Sequence, residues 1–135
     1  LRTQQFYSFL DTASLCQFVW GPAWSLYGPQ EAVDFVRAVT GWDDFDVAEL
    51  MEIGERRLNM LRAFNAREGI GRREDRLPDK FFRPLTGTGP TAGVALDRAE
   101  IDGALDEYYR LAGWDGSTGN PTPETLARLG LEWAV

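Results

Sequence analysis

The sequence has no histidine, a single cysteine, and a single lysine among its 14 basic residues. Without histidine there is no Ser-His-Asp triad, no imidazole proton shuttle and no His-bound metal. One cysteine excludes an intrachain disulfide and leaves any zinc or iron–sulfur site incomplete unless other donors come from elsewhere. Positive charge is also scarce: 14 bases face 21 acids, for a net charge of −7. That argues against nucleic acid or an anionic membrane as a partner, since both need a basic face. No apolar run approaches the roughly 18–20 residues needed to cross a bilayer. The stretch Leu1–Leu10 is too polar for a secretory leader, so a soluble cytoplasmic protein is expected. The first residue is Leu1 rather than Met, and we expect a single domain over residues 1–135 that is a fragment of a longer chain.

What is present points to a packed core. Apolar residues make up 44% of the chain, with five Trp, four Tyr and eight Phe, enough for one domain of this length. Spacings of three and four among Phe6, Phe9, Leu10, Ala13, Cys16 and Phe18 predict a first helix over Thr3–Trp20, stopped by Gly21-Pro22. A second helix is predicted from Pro29, a favoured first-turn residue, to Thr40 with Gly41 as its cap. Its buried stripe would be Ala32, Val33, Val36 and Val39. Asp46 with Glu49 predicts a capping box opening a long third helix, whose face is Val47, Leu50, Met51, Leu58, Leu61 and Phe64 and whose end is Gly69. A charged loop, Gly71–Arg76, and a turn at Pro78–Arg83 lead into the exposed excursion Pro84–Val94. Asp97 with Glu100 opens another helix, closed by Gly113. Thr122 and Pro123 open the last one, which ends at Gly130. Strand patterning is absent beyond four residues. The expected fold class is all-α, an irregular multi-helix domain of about five to six helices.

Few residues announce chemistry by themselves. A lone cysteine on an apolar face reads first as a small buried hydrophobe, and Asp11 as a surface or capping carboxylate. The mixed run Arg72–Arg76 reads as a solvated, self-paired surface. Asp43, Asp44 and Asp46 lack the Gly and distal Glu of a calcium loop, and Gly87-Thr88-Gly89 lacks the Lys of a phosphate loop. Tyr108-Tyr109 reads as packing, one ring inward and one at the rim. Gly41-Trp42-Asp43 and Gly113-Trp114-Asp115 echo each other as helix-ending turns rather than as a repeat.

Three stretches taken in order nevertheless resemble the C-terminal part of the aldehyde ferredoxin oxidoreductase family of tungsten enzymes. The first is Asp11–Cys16 with Gln17-Phe18, similar to the family's Asp-x-x-Gly-Leu-Cys motif, with Ser14 where Gly is usual. The second is Phe64–Gly69 continuing through Arg72, Asp75, Arg76, Leu77, Pro78 and Phe81-Phe82. The third runs from Tyr108-Tyr109-Arg110 through Gly113-Trp114-Asp115 and Gly119 to Pro121-Thr122 and Leu129-Gly130-Leu131. The resemblance implies oxidation of aldehydes to carboxylic acids at a tungsten bis-pterin (molybdopterin-type) centre, with electrons passing through a [4Fe–4S] cluster to ferredoxin. It implies that Cys16 is the last of four cluster thiolates, a soft anionic ligand and the only metal ligand here. Asp11 becomes the acceptor for pterin N–H groups, and Leu15 with Cys16 lies between pterin and cluster. No catalytic residue is assigned; Asn65, Arg67 and Glu68 are expected to be helix-end structure. The implied partners are upstream domains of the same chain, ferredoxin and the aldehyde, with a homodimer also open. The cofactors belong to the full-length parent, and the isolated fragment is expected to hold none and to be inactive. A reading of another class is a free-standing helical interaction domain without redox work, presenting the apolar surface around Phe6, Phe9 and Trp20.

Overall fold

The computed structural model describes residues 1–20 and 27–134. Among them lie six α-helices: α1 (Arg2–Thr12), α2 (Gln17–Trp20), α3 (Pro29–Thr40), α4 (Val47–Arg67), α5 (Arg98–Ala112) and α6 (Pro123–Arg128). Short 3₁₀ turns cover Arg72–Glu74, Asp79–Phe82 and Glu132–Ala134. Among the described residues the β features reduce to an isolated bridge between Trp114 and Pro121, so the all-α class expected from the sequence is what is found.

Most helix boundaries follow the local chemistry. Asp46 accepts from the N–H of Glu49 at 2.8 Å, and Asp97 from the N–H of Glu100 at 3.1 Å, each satisfying one orphan donor of a first turn. Pro29 opens α3, with the Glu31 carboxylate reaching back to the N–H of Gly28 at 2.7 Å. Thr122 caps α6 through its hydroxyl, and Gly41 and Gly113 close α3 and α5 in the left-handed conformation. The excursion Pro84–Val94 is exposed throughout.

The first helix is shorter than its apolar spacing predicts. It stops at Thr12, and a turn over Ala13–Cys16 separates it from α2. Ala13, Cys16 and Phe18 therefore leave the core, Phe18 being 92% exposed. The apolar period runs across this break because Ser14, unlike Gly, gives no stop signal. The expected stop at Gly21-Pro22 lies outside the described residues.

The main core joins Phe6, Phe9 and Leu10 of α1 to Ala32 and Val33 of α3 and to Phe45 and Leu50, with Leu15, Trp20, Val36 and Met51 packed around them. Each fully buried Phe or Leu contributes about 1.5–3 kcal/mol. Phe6 and Phe9 are thus interior, and Trp20 leans on Tyr27 and Phe35. Phe6 and Phe9 therefore take no part in the apolar surface expected there, while Tyr27 and Phe35 beside Trp20 are each 46% exposed. Val39, read as part of the buried stripe of α3, is exposed.

The face of α4 also shifts along its 21 residues. Leu50 and Gly54 are buried against α1, but toward the C-terminus Asn59, Arg62 and Ala63 turn inward while Leu61 and Phe64 face out. The reason is a change of neighbour. The first half packs on α1, whereas the second meets the loop 71–75 and the segment 109–119, which offer polar partners. A smaller core of Ala63, Leu126, Leu129, Leu131 and Ala134 closes the C-terminal end.

Candidate functional site

The turn between α1 and α2 gathers the sequence-predicted site residues. The N–H of Leu15 donates to the carbonyl of Leu10 at 2.8 Å, and that of Ser14 to the carbonyl of Asp11 at 3.3 Å. Ser14 has φ 57°, the one non-glycine residue described with positive φ. These are the paired bonds of a Schellman helix end, with Ser14 in the left-handed position where glycine is favoured. Leu15 follows as the apolar residue that pins such a turn, and it packs against the core. The Asp-x-x-Gly-Leu-Cys pattern thus has a mechanical reading: helix end, left-handed hinge, hydrophobic anchor, then a thiol carried outward. The backbone keeps the glycine conformation with serine in place.

Cys16 is exposed and free. It is not the small buried hydrophobe that residue statistics favour. Its carbonyl accepts from the N–H groups of Val19 and Trp20, opening α2. Asp11, also at the surface, is held on both oxygens: Gln17 Nε2 donates to Oδ1 at 2.7 Å, and Arg57 Nη1 lies 3.3 Å from Oδ2. Arg57 sits on α4, and its Nη1 is also 3.4 Å from the hydroxyl of buried Ser8.

The other two stretches singled out in the sequence meet in a second polar assembly. Arg62, nearly buried, donates from Nε to the carbonyl of Gly119 at 2.7 Å and from Nη1 to Asp75 Oδ1 at 2.9 Å. Its Nη2 reaches Asp75 Oδ2, which also accepts from the Tyr109 hydroxyl. Arg72 spans to the carbonyl of Gly116 at 2.7 Å and to Asp106 at 2.6 Å, over the Tyr109 ring. Trp114 lies beside Tyr108 and Tyr109, donates to Asn59 Oδ1 at 2.8 Å and carries the Arg62 guanidinium over its ring. A Cβ on Gly119 would come within 2.6 Å of Arg62 Nη2. The charged run is therefore only partly a self-paired surface. Arg73 does pair with Glu74, but Arg72 and Asp75 reach across to α5. The expected split into one inward and one rim ring is found, and the structure makes Tyr109 the inward one and Tyr108 the rim one.

The electrostatics follow from this packing. Burial alone would raise the Asp75 carboxyl, but the hydrogen bonds from Arg62 and Tyr109 and the nearby guanidinium charge hold it below its ordinary value. Burial, with the Asp75 hydrogen bond, pushes the Tyr109 phenol up to about 12. Asp115, which accepts from Ser117 and Thr118, is lowered to about 2. The contacts named here all run between parts of this chain, so the assembly is a clasp joining α4, the 71–75 loop and α5. Asn65, Arg67 and Glu68 fall at the end of α4, where helix-end structure was expected.

Sequence reasoning missed Arg57, Arg62 and Asn59. The available signal was phase: Asn59 and Arg62 occupy inward positions on α4, and Gly54 in mid-helix marks a close approach one turn before Arg57. A Cβ on Gly54 would sit 1.9 Å from the Gln5 carbonyl oxygen.

Fold and site together define a helical domain that offers one outward thiol and one oriented carboxylate from a single helix-ending turn. Residues 1–131 match the model of aldehyde ferredoxin oxidoreductase, domains 2 and 3, and the chain belongs to that family. It is 35% identical over 130 residues to the tungsten-containing aldehyde ferredoxin oxidoreductase of Pyrococcus horikoshii, covering 96% of this chain and 20% of that protein. It is 31% identical over 129 residues to the aliphatic sulfonate oxidoreductase, WOR-like subunit, of Pyrococcus furiosus, covering 92% of this chain and 20% of that protein. A solved chain of the active-site complex BamBC of benzoyl coenzyme A reductase, in complex with 1,5-dienoyl-CoA, shares the fold. Its TM-score is 0.74 at 24% identity, over 98% of this chain and 18% of that one. This chain spans about a fifth of the length of the curated relatives it matches.

The donor set fits the cofactors of such a family only in part shares. Among the described residues no group of three or more His, Cys, Asp or Glu is placed to hold a metal. A free, outward Cys16 suits a single thiolate completing a set supplied elsewhere. The Asp11 carboxylate, with a hydrogen bond on one oxygen and an ion pair on the other, keeps acceptor capacity for further N–H groups.

Proposed function

We propose that this chain is the cofactor-lining C-terminal domain of a tungsten and iron–sulfur oxidoreductase that oxidises aldehydes to carboxylic acids, with ferredoxin as electron acceptor. In the net reaction the aldehyde takes up one water and gives up two electrons and two protons to become the acid. The tungsten bis-pterin supplies the redox chemistry when bound. The chain's own contribution is narrower. Cys16 offers one thiolate to a [4Fe–4S] cluster whose other three come from upstream; Asp11 accepts pterin N–H groups in charge-assisted hydrogen bonds; Leu15, anchored in the core, fixes the segment between them.

The observation that carries this reading is the turn itself. A serine held at φ 57° spends conformational energy to throw Cys16 outward, which a merely space-filling cysteine would not need. Family membership and the tungsten named in the relatives support the cofactor class. The chain by itself is expected to hold no cofactor and to catalyse nothing, and substrate choice is set outside it: relatives named for aldehydes and for sulfonates match it almost equally.

The test is a pair of substitutions in the full-length enzyme. Cys16→Ala should remove cluster iron and ferredoxin reduction while the fold survives. Asp11→Asn should lower pterin content more than iron content. Full iron and activity in the first variant, or the reverse ordering in the second, would overturn the assignment.

A further inference from the structure

Beyond the two cofactor contacts, the geometry points to Arg57 and Gln17 as positioning residues: we infer that they fix the Asp11 carboxylate in the orientation that accepts the pterin N–H donors. This rests on the reading of Asp11 given above.

Three observations converge on it. First, the two contacts fall on different oxygens, Gln17 Nε2 on Oδ1 at 2.7 Å and Arg57 Nη1 on Oδ2 at 3.3 Å. A hydrogen bond on one oxygen and an ion pair on the other restrict rotation about the terminal torsion, which is otherwise broad for a carboxylate. The remaining lone pairs stay available on a side chain that is 43% exposed.

Second, Arg57 is placed by the fold rather than by its own flexibility. Its Nη1 lies 3.4 Å from the hydroxyl of Ser8, a serine only 3% exposed in the packed face of α1. The approach of α1 to α4 is set by Gly54, where no side chain fits against the Gln5 carbonyl. A buried hydroxyl, a guanidinium and a carboxylate thus form a chain leading from the core outward to Asp11.

Third, Gln17 directly follows Cys16 and opens α2. The hydrogen bond from its side-chain amide to Asp11 Oδ1 closes the turn into a ring, tying the carboxylate to the residue next to the thiol. Stability does not explain the arrangement, because a half-exposed ion pair of this length is worth at most about 1 kcal/mol. Orientation of a ligand-binding group does explain it, in the way that outer hydrogen bonds orient ligands elsewhere.

The experiment uses the full-length oxidoreductase carrying this chain, and reads pterin per polypeptide during dialysis, iron per polypeptide and the thermal midpoint. Arg57→Gln and Gln17→Ala should each speed pterin loss about tenfold, the scale typical of removing an orienting partner, with iron unchanged. Arg57→Lys should recover part of the retention. Adding Arg57→Gln to Asp11→Asn should make nothing worse, since both act through one carboxylate. Full pterin retention in Arg57→Gln and Gln17→Ala, with loss in Asp11→Asn, would overturn this inference and leave the Asp11 reading standing. Additive loss in the double variant would overturn it as well. Full retention in Asp11→Asn would overturn the Asp11 reading itself. If Arg57→Gln lowers the thermal midpoint sharply, Gln17→Ala, on the exposed side of the turn, decides the question by the same readings.

Discussion

At the scale of single residues, Ser14 carries the cost of the turn. A side chain in the left-handed region costs on the order of 1 kcal/mol, and Ser14 sits there at φ 57°. Ser14→Gly should leave stability unchanged or raise it by up to about 1 kcal/mol, and Ser14→Val should lower it by more than 1 kcal/mol, roughly. Urea unfolding of the two variants checks the pair, and a Val variant as stable as the parent would show that the turn is not strained. Tyr109 offers a second test through pH. Its phenol is raised from 10.0 to about 12 in the folded chain. A raised value means that the folded state holds the proton more tightly, so the contribution is complete below about pH 10 and is lost as pH climbs toward 12. Tyr109→Phe should flatten the fall of stability over that window, and an unchanged slope would reassign it to other groups.

Arg62 belongs to the same scale, but its effect is one of burial. Removing it by Arg62→Met leaves the Asp75 carboxylate half-buried with the Tyr109 hydroxyl as its main remaining donor. We expect a loss of about 3 kcal/mol in urea unfolding, the usual size for breaking a buried pair from one side. A loss under about 1 kcal/mol would mean that the clasp is dispensable.

Among the elements, the packing of α1 on α4 decides where the site stands. Gly54→Ala would help an isolated helix by about 1 kcal/mol. In this chain the added methyl would lie 1.9 Å from the Gln5 carbonyl oxygen, so α1 must lift. The expected net effect is a destabilisation of about 2–3 kcal/mol, and the sign alone separates the two outcomes in a thermal melt. It is also at this scale that the sequence was most and least legible. Caps at Asp46, Asp97 and Thr122, and the closing Gly41 and Gly113, lie where local hydrogen-bonding chemistry puts them. What is not legible is a turn without its usual glycine, or a face set by a distant neighbour. The first helix breaks at a serine whose left-handed turn has no local marker. The late face of α4 is chosen by Asp75 and Gly119, thirteen and fifty-seven residues away in sequence from Arg62. Of the site, family resemblance points to Asp11, Leu15 and Cys16; residue statistics alone place Cys16 in the core, and only the fold shows it outside.

For the whole molecule, the pattern of exposure matches a domain that works inside a larger protein. Phe64, Leu111 and Trp133 lie open at 58%, 54% and 69%, and the chain spans a fifth of its relatives' length. No helix among the described residues is long and apolar enough to cross a membrane. We propose that this chain lines a tungsten and iron–sulfur centre built mostly by the rest of its polypeptide. The most direct measurement is the mass and metal content of the native protein, isolated from its source with an antibody against this domain. A polypeptide about five times longer, as the 20% coverage implies, carrying both iron and tungsten, is the predicted result. A metal-free polypeptide near 15.2 kDa would contradict it.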